Sequence, residues 1–411
     1  MVFKPASDPA QRKLTMPRTV WALGLVSLFM DLSSETIHAL LPLFLTGTLG
    51  VSVAMVGLID GVAESTASIS KLFSGYWSDR IGRRKPLILL GYGLGALSKP
   101  FFPLASSAGI VLGARFADRI GKGLRGAPRD ALVADVTPMP IRGRAFGLRQ
   151  SLDTVGAFLG PLLAIVLMIV FANDIRSVFW VAAIPAILAV LLVIIGVEDR
   201  QSPDGKTSVK APVRVRDVRK LGRPFWGVVA IGIVFTLARF SEAFLILKAS
   251  AEGLPLALAP LVLVVMNVVY AIGAYPAGFL SDKIRASNLL LWGLACLVTA
   301  DLSLALLSGM LGAFLGIALW GAHMALTQGL MAKLVADNAP EHLRGSAFGV
   351  FNLATGLALL VASIVAGLLW DQLGSSATFL AGASFAFVAF LLLVFRRHVD
   401  RRSRRKNICA R

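Results

Sequence analysis

The chain has 411 residues, 56% of them apolar, and a mean hydropathy of +0.76. Soluble globular proteins are usually about 45–50% apolar, so this composition excludes that class and indicates a polytopic membrane protein. The net charge of +18 does not indicate nucleic-acid binding, because the Lys and Arg residues form short clusters between apolar runs and do not cover one polar domain.

Twelve apolar runs follow one another along the chain, and each approaches or exceeds the length of about 20 residues that a membrane-spanning helix needs. The first run contains Asp31 and Glu35 and is too long for the apolar part of a signal peptide, so we expect it to be retained. The sequence therefore predicts an all-α polytopic membrane protein with twelve transmembrane helices in two six-helix pseudo-repeats. The runs lie near 20–46, 53–76, 86–105, 107–134, 146–171, 175–196, 225–248, 256–280, 287–306, 309–335, 346–370 and 376–395.

A polar segment separates the two groups of helices. It is rich in Lys and Arg and contains the turn sequence Ser202-Pro203-Asp204-Gly205. We therefore expect four parts. They are an N-terminal six-helix half at 1–197, a cytoplasmic linker at 198–223, a C-terminal six-helix half at 224–396 and a basic cytoplasmic tail at 397–411.

Lys and Arg collect at alternate ends of the predicted helices, whereas the opposite turns at 47–52, 103–109 and 308–312 have none. By the positive-inside rule, both termini lie in the cytoplasm. The basic loops would also bind anionic lipid head groups. We therefore expect an integral protein of the bacterial cytoplasmic (inner) membrane. The basic clusters are the N-terminal arm, Arg80 to Lys85, Arg142 with Arg144, the linker, Lys283 with Arg285, Arg344 and the tail.

The fourth run carries seven ionisable residues, which are costly in hydrocarbon and usually mark a substrate or ion path. Basic loops at Arg84 and Arg142 lie on the same side of the membrane, and the third run makes only one crossing between them. The fourth run must therefore make the return crossing. Its ionisable residues are Arg115, Asp118, Arg119, Lys122, Arg125, Arg129 and Asp130.

An internal repeat supports this crossing. The segment Leu132-Val-Ala-Asp135 recurs as Leu334-Val-Ala-Asp337, and the following Ala-Phe-Gly recurs at the same spacing of 202 residues. This spacing places Arg115 opposite Ile317 in the apolar tenth run, so the charged stretch is predicted to be helix 4. Ser34-Glu35 and Ser241-Glu242 form a second, weaker match between the first helices of the halves.

Two loops carry a family resemblance. The sequence Gly75-Tyr-Trp-Ser-Asp79-Arg80-Ile-Gly82-Arg83-Arg84-Lys85 resembles the loop between helices 2 and 3 of the major facilitator superfamily, and Gly278-Phe-Leu-Ser-Asp282-Lys283 is a partial copy. The resemblance implies transport by alternating access of the two halves. It also implies a gating loop that latches the outward-open state, formed by Gly75, Asp79, Arg80, Gly82, Arg83 and Asp282.

On helix 5, the segment Gly156-Ala-Phe-Leu-Gly160-Pro161 resembles the antiporter signature of that family. Ala164 and Ile165 depart from it, because the family often has a glycine pair there. The resemblance favours efflux over uptake. The alternative is that these small residues only let two helices pack closely.

The charges of helix 4 form the candidate site. Arg115, Arg119 and Lys122 share one helix face, and Asp118 lies beside it. The resemblance implies that helices 1, 4, 7 and 10 line the cavity. An unpaired buried charge is costly, so we expect the acids of helix 1 to pair with the bases of helix 4. The other members of the proton-coupling and cavity set are Asp31, Glu35, His38, Arg239, Glu242 and His323.

Two interpretations of this network remain open. In the first, proton binding to Asp31 or Glu35 is coupled to access to the cavity. In the second, the network is a structural clamp and does not change its protonation. We predict that Glu35→Gln abolishes pH-driven transport without preventing membrane insertion.

The sequence has no phosphate-binding Gly-x-x-x-x-Gly-Lys-Ser/Thr loop, no metal-spaced His and Cys set and no nucleophile elbow, so we expect neither an enzyme nor a cofactor or metal site. The predicted function is secondary active transport, as a monomeric proton-coupled antiporter that exports a small solute such as a drug or toxic compound. Alternatives are a proton-coupled importer of an organic anion or nutrient, a metal or metalloid exporter, and a non-transporting receptor or scaffold.

Overall fold

The computed structural model describes residues 15–81, 83–199, 221–340 and 343–409, and their regular structure is helical throughout. Each predicted apolar run is occupied by one or more helical segments, so the all-α membrane architecture is confirmed. The N-terminal half contains α1 (Arg18–His38), α2 (Val53–Ile81), α3 (Lys85–Ser98), α4 (Ala108–Val136), α5 (Arg142–Val170) and α6 (Ile175–Gly196). The C-terminal half contains α7a (Arg223–Leu237), α7b (Ala243–Ala251), α8 (Leu261–Lys283), α9 (Ala286–Leu306), α10 (Gly309–Asn338), α11 (Arg344–Leu373) and α12 (Ser375–Cys409).

Shorter helical segments extend or join these helices. One follows α1 directly and ends in a π-helical turn, and another follows α3 after Lys99 and Pro100. The seventh predicted run is not one helix, because its backbone leaves helical geometry between Leu237 and Ala243. The short segments are Leu41–Leu43, Phe44–Thr48, Phe101–Leu104, Met139–Ile141 and Leu256–Leu258.

Ten helical stretches within the described ranges are long and apolar enough to cross a membrane. The seventh and fourth runs fall short for different reasons. The segments α7a and α7b have only 15 and 9 residues. Helix α4 has 29 residues, which exceeds the length of a membrane crossing, but its charges lower its hydropathy.

The helices pack in the same pairs in both halves. Helix α1 packs against α5 as α7a packs against α11, and α2 packs against α4 as α8 packs against α10. Helix α3 contacts both α4 and α6, and α9 contacts both α10 and α12. This agreement matches the internal repeat found in the sequence.

The two halves meet mainly along α2 and α11. A Cβ atom on Gly61 of α2 would lie 2.8 Å from the Leu360 side chain of α11, so the backbones approach too closely for a larger residue. At one end of this contact, the carboxylate of Asp371 accepts hydrogen bonds from the backbone N–H groups of Val53 and Ala54, each at 2.9 Å. A side chain of one half therefore caps the first turn of a helix of the other half.

Among the described residues, clusters of buried apolar side chains join the halves at one end and not at the other. We call the end with Gly196 and Arg223 the linker end. At the opposite end, one cluster contains residues of both halves, such as Phe44 and Phe244. At the linker end, each half has its own cluster within the described ranges, around Val133 in one and Val335 in the other. The halves are therefore packed together at the far end and separate at the linker end.

Candidate functional site

Two adjoining cavities of about 260 and 180 Å³ lie between the halves. Both are lined by Glu64 of α2, Arg239 of the segment between α7a and α7b, and Leu359 of α11. Because they share these residues, we describe them together as the central cavity. Other lining residues are His38, Asp60, Ser241, Glu242 and Ser363 in the smaller part, and Phe235, His323, Thr327, Gln328 and Phe351 in the larger part.

Two ion pairs connect α2 to α4 beside the central cavity. Arg115 Nη2 donates to Asp60 Oδ1 at 2.8 Å, and Arg119 Nη2 lies 3.0 Å from Glu64 Oε1. Both arginines and Asp60 are buried, but the Glu64 side chain is 40% exposed. On each helix the two residues are four apart, so the pairs form successive rungs between the helices.

The predicted pairing of helix 4 bases with helix 1 acids is wrong for Arg115 and Arg119. Helix α4 packs extensively against α2 and only slightly against α1, so the carboxylates within reach of these arginines belong to α2. Lys122 is the base of α4 that attracts both Asp31 and Glu35. In the described part of the chain, neither Lys122 nor Asp31 forms an ion pair within 4 Å.

Asp60 also connects the two halves. Its Oδ1 atom accepts from Arg115, while its Oδ2 atom accepts from Ser241 Oγ of the C-terminal half at 2.7 Å. Ser241 Oγ in turn accepts the Ala243 N–H at 3.1 Å, at the start of α7b. One carboxylate therefore fixes the break in the seventh run to the charged face of α4.

Asp118 has its own buried partner. Lys99 is 1% exposed, and its Nζ atom donates to Asp118 Oδ1 and to Ser34 Oγ, each at 2.9 Å. This lysine lies in the turn that follows α3. Asp118 therefore joins α4 to that turn, and Ser34 adds a contact with α1.

The α1 carboxylate of Glu35 pairs with a histidine on its own helix. Its Oε2 atom lies 3.3 Å from His38 Nδ1, and both side chains are partly buried. His38 lines the smaller part of the central cavity, next to Asp60. The Glu35 and His38 pair therefore lies close to the ion pairs between α2 and α4.

Arg239 and Glu242 lie in the break of the seventh run and line the central cavity. They are three residues apart, yet they lie beyond ion-pair distance of each other. Neither side chain has a hydrogen-bond or ion-pair partner in the described part of the chain. The C-terminal half thus presents one unpaired base and one unpaired acid to the cavity.

His323 of α10 has a defined hydrogen bond. Its Nδ1 atom is 2.8 Å from the Gly293 carbonyl oxygen, which can only accept, so Nδ1 carries the proton. In the neutral ring Nε2 is then an acceptor. The ring is 2% exposed and stacks on Phe235 with centroids 6.3 Å apart.

The helix 5 motif lies in the contact between α5 and α1. A Cβ atom on Gly160 would lie 2.6 Å from Glu35 Cβ, and one on Gly156 would collide with the Leu28 carbonyl group. Thr36 Oγ1 also donates to the Gly160 carbonyl oxygen at 3.0 Å. Pro161 is buried in the same helix. The motif therefore has a clear packing role, which also holds the backbone of Glu35 in place.

The gating-loop residues are described only in part. Arg83 is exposed, at the end of α2 nearest the linker. Gly82 and the side chains of Asp79, Arg80 and Asp282 lie outside the described residues, as do the surroundings of Gly75. The gating role of this loop stays a prediction.

Sequence reasoning missed Asp60, Glu64 and Lys99. A signal for the first two was present, because Asp60 and Glu64 have the same spacing of four residues as Arg115 and Arg119. Matching acidic and basic pairs in two membrane helices indicates that those helices are neighbours. Lys99 precedes Pro100 near the end of an apolar run, and nothing in its surroundings indicated a buried partner.

Comparisons with known proteins agree on one family. The family model described as Major Facilitator Superfamily matches residues 23–363 and 254–408. An uncharacterized MFS-type transporter of Methanocaldococcus jannaschii is 32% identical over 96% of this chain and 100% of its own length. Multidrug resistance protein 2 of Bacillus subtilis is 21% identical, with 88% of this chain and 91% of that protein covered.

Solved structures share the fold at low sequence identity. The nucleoside transporter NupG superposes with a TM-score of 0.74 at 11% identity, over 92% of this chain and 98% of that chain. A D-xylose-proton symporter superposes with a TM-score of 0.69 at 18% identity, over 92% of this chain and 96% of that chain. At these identities the likeness concerns the fold alone.

Proposed function

Because the chain belongs to the Major Facilitator Superfamily of transporters, we propose that it exports a small solute in exchange for protons, by alternating access of its two halves. Support comes from the central cavity, which lies between the halves and is lined by ionisable groups of both. The halves are packed together at the far end and separate at the linker end. This arrangement is the one expected of a carrier open to one side of the membrane.

The basic loops assign the linker end to the cytoplasm in this proposal. The central cavity then takes up solute from the cytoplasmic side. To release solute on the other side, the halves must separate at the far end. This movement breaks the hydrogen bond between Asp60 and Ser241 and the cap that Asp371 provides to α2.

Glu64 is the proton site in this proposal, and its position is the observation on which proton coupling depends. Its side chain is 40% exposed and lines the cavity, so a proton from the cavity can reach the carboxylate. Its partner Arg119 is buried, so loss of the carboxylate charge leaves a buried guanidinium without its counter-charge. Protonation breaks this ion pair and changes the contact between α2 and α4. Since α2 also forms the main contact with α11, the change reaches the junction between the halves. The neighbouring Glu35 and His38 pair is the second candidate.

Two observations favour export over import. The helix 5 motif resembles an antiporter signature, and a relative matched over 91% of its length is named as a multidrug resistance protein. Import of an organic anion with protons is the second candidate function. It is favoured by Arg239, a base in the cavity without a partner among the described residues.

Growth of cells with different expression levels tests the direction of transport. Strains that overexpress the wild type or Glu64→Gln, or lack the gene, are exposed to drugs, metals, metalloids and organic acids. Export predicts resistance with the wild type and sensitivity with the variant at equal membrane abundance. Hypersensitivity on overexpression would indicate import. If no solute moves in proteoliposomes under a pH gradient, the carrier proposal fails.

A further inference from the structure

The unpaired charges of the central cavity all come from one short segment. Arg239 and Glu242 lie in the break of the seventh run, and both line the 180 Å³ part of the cavity. The carboxylate of Glu242 and the guanidinium of Arg239 are not within 4 Å of each other or of another opposite charge in the described part of the chain. A charge in the middle of a membrane protein is costly without a partner.

On the opposite wall of this part of the cavity, the charged side chains have partners of opposite charge. Asp60 accepts hydrogen bonds from Arg115 and Ser241, and Glu64 pairs with Arg119. His38 pairs with Glu35. The N-terminal charges that line the cavity thus have partners within the protein, and the described lining offers a ligand one base, Arg239, and one acid, Glu242.

The two charges are also held apart. Ser241 lies between them in sequence, and its hydroxyl group both donates to Asp60 and accepts the Ala243 N–H. These two hydrogen bonds fix the backbone of the break. A ligand that carries both an anionic and a cationic group can pair with each of these side chains.

We propose that the transported solute is a zwitterion, whose anionic group pairs with Arg239 and whose cationic group pairs with Glu242. The proposal rests on the transport function given above and names its substrate class. A singly charged anion would leave Glu242 uncompensated, and a singly charged cation would leave Arg239 uncompensated. The rings of Phe235 and Phe351 in the larger part of the cavity provide contacts for an apolar or aromatic portion of the solute.

Matched sets of small molecules test this proposal on the purified full-length protein. The first set is L-phenylalanine, its cationic methyl ester and its anionic N-acetyl derivative. The second is norfloxacin with its ester and its N-acetyl derivative. Binding is measured by the concentration dependence of the thermal unfolding temperature, because a ligand that binds the folded state raises it. For at least one set, we expect the zwitterion to bind about tenfold or more tightly than either derivative, since each derivative lacks one ion pair.

Two variants distinguish recognition of charge from loss of folding. Arg239→Gln removes the preference for the zwitterion over the cationic ester, and Glu242→Gln removes its preference over the N-acetyl anion. Arg223→Gln and Glu198→Gln are matched controls, because both side chains are exposed at the linker end. They leave the binding order unchanged.

Three results would overturn the proposal. They are a derivative that binds as tightly as its zwitterion in both sets, an anion whose binding strengthens as pH falls while neither zwitterion binds, and no binding by any of the six molecules. None of these results contradicts export, which the growth assay tests separately. Conversely, if overexpression of the wild type gives no resistance but the zwitterion binds as expected, the export proposal fails and the substrate class stands.

Discussion

Glu64 differs from Asp60, the other acid of the two ion pairs between α2 and α4, in how much of its side chain is exposed. The Asp60 side chain is buried, and its two carboxylate oxygens accept hydrogen bonds from Arg115 and Ser241. In contrast, 40% of the Glu64 side chain is exposed. We expect Glu64→Gln to abolish transport driven by a pH gradient but to retain exchange of solute for solute, because the amide keeps the shape of the side chain without accepting a proton. Both activities are measured in proteoliposomes. Glu198→Gln serves as the control, and pH-driven transport by Glu64→Gln at the wild-type rate would exclude Glu64 as the proton site.

The pair of Lys99 and Asp118 is the most fully buried ion pair among the described residues, with side chains 2% and 3% exposed. Lys99→Met leaves the Asp118 carboxylate without its main partner, so we expect the free energy of unfolding to fall by about 3–5 kcal/mol. The double variant Lys99→Met with Asp118→Leu removes both charges and should recover most of this loss. Thermal or denaturant unfolding of the purified variants measures both effects. A double variant less stable than the single variant would show that the pair contributes more than mutual neutralisation.

At the scale of helices, the glycines of α5 serve two different purposes. Gly160 lies against α1, and Gly147 of the same helix is exposed with nothing within 4 Å of an added Cβ atom. We expect Gly160→Ala to lower stability by about 1–3 kcal/mol, because α1 must move to accept the methyl group. Gly147→Ala should be neutral or raise stability by up to about 1 kcal/mol through helix propensity. The unfolding temperature of each variant is compared with that of the wild type. An equal rise in both variants would contradict the packing role of the helix 5 motif.

The sequence predicted most helices well but could not show how the charged ones are paired. The crossing count and the repeat with Ile317 predicted a helix in the charged stretch, and α4 is a helix of 29 residues. That α4 crosses the membrane stays a prediction. Its neighbour could not be inferred from the spacing of Arg115 and Arg119, because that spacing defines a face of one helix and not the helix opposite. The break in the seventh run was also hidden. Its residues, Ala238 to Glu242, include no Pro or Gly, and tertiary hydrogen bonds to Ser241 help to maintain it.

At the scale of the whole molecule, one carboxylate adds hydrogen bonds between the halves at one end of their main contact. Asp371 of α11 accepts two hydrogen bonds from the first turn of α2. Removal of an N-cap costs about 0.5–2 kcal/mol, so we expect Asp371→Ala to favour the conformation that is open at the far end. Spin labels at Ser52→Cys and Gln372→Cys, with Cys296 and Cys409 replaced by Ser, report the separation through their distance distribution.

Asp174 provides a matched control for this prediction. It caps α6 through Arg176 N–H, entirely within the N-terminal half. Asp174→Ala therefore removes a cap of the same type but should leave the distance between the labels unchanged. If Asp371→Ala and Asp174→Ala give the same distribution as the wild type, the cap of α2 does not control the opening of the molecule.

The division into halves could be predicted because the repeat and the positive-inside pattern are both encoded along the chain. The end at which the halves pack together could not, since it depends on tertiary contacts between the apolar surfaces of the two halves. Phe44 and Phe244 lie in two apolar runs of similar composition, and neither run contains a pattern that indicates contact with the other. In the structure both rings belong to one buried cluster. The proposed transport cycle requires the same chain to adopt two arrangements, one open at each end.

The ion pairs between α2 and α4 also have a consequence for how the protein is made. A central Arg, Lys or Asp costs about 2.5–3.5 kcal/mol when a single helix enters the membrane from the translocon, so α4 is a poor candidate for insertion alone. Helix α2 is synthesised first, and it places Asp60 and Glu64 in the membrane before Arg115 and Arg119 leave the ribosome. We therefore expect α4 to enter the bilayer as a partner of α2, so that these carboxylates act in biogenesis in addition to their proposed role in transport.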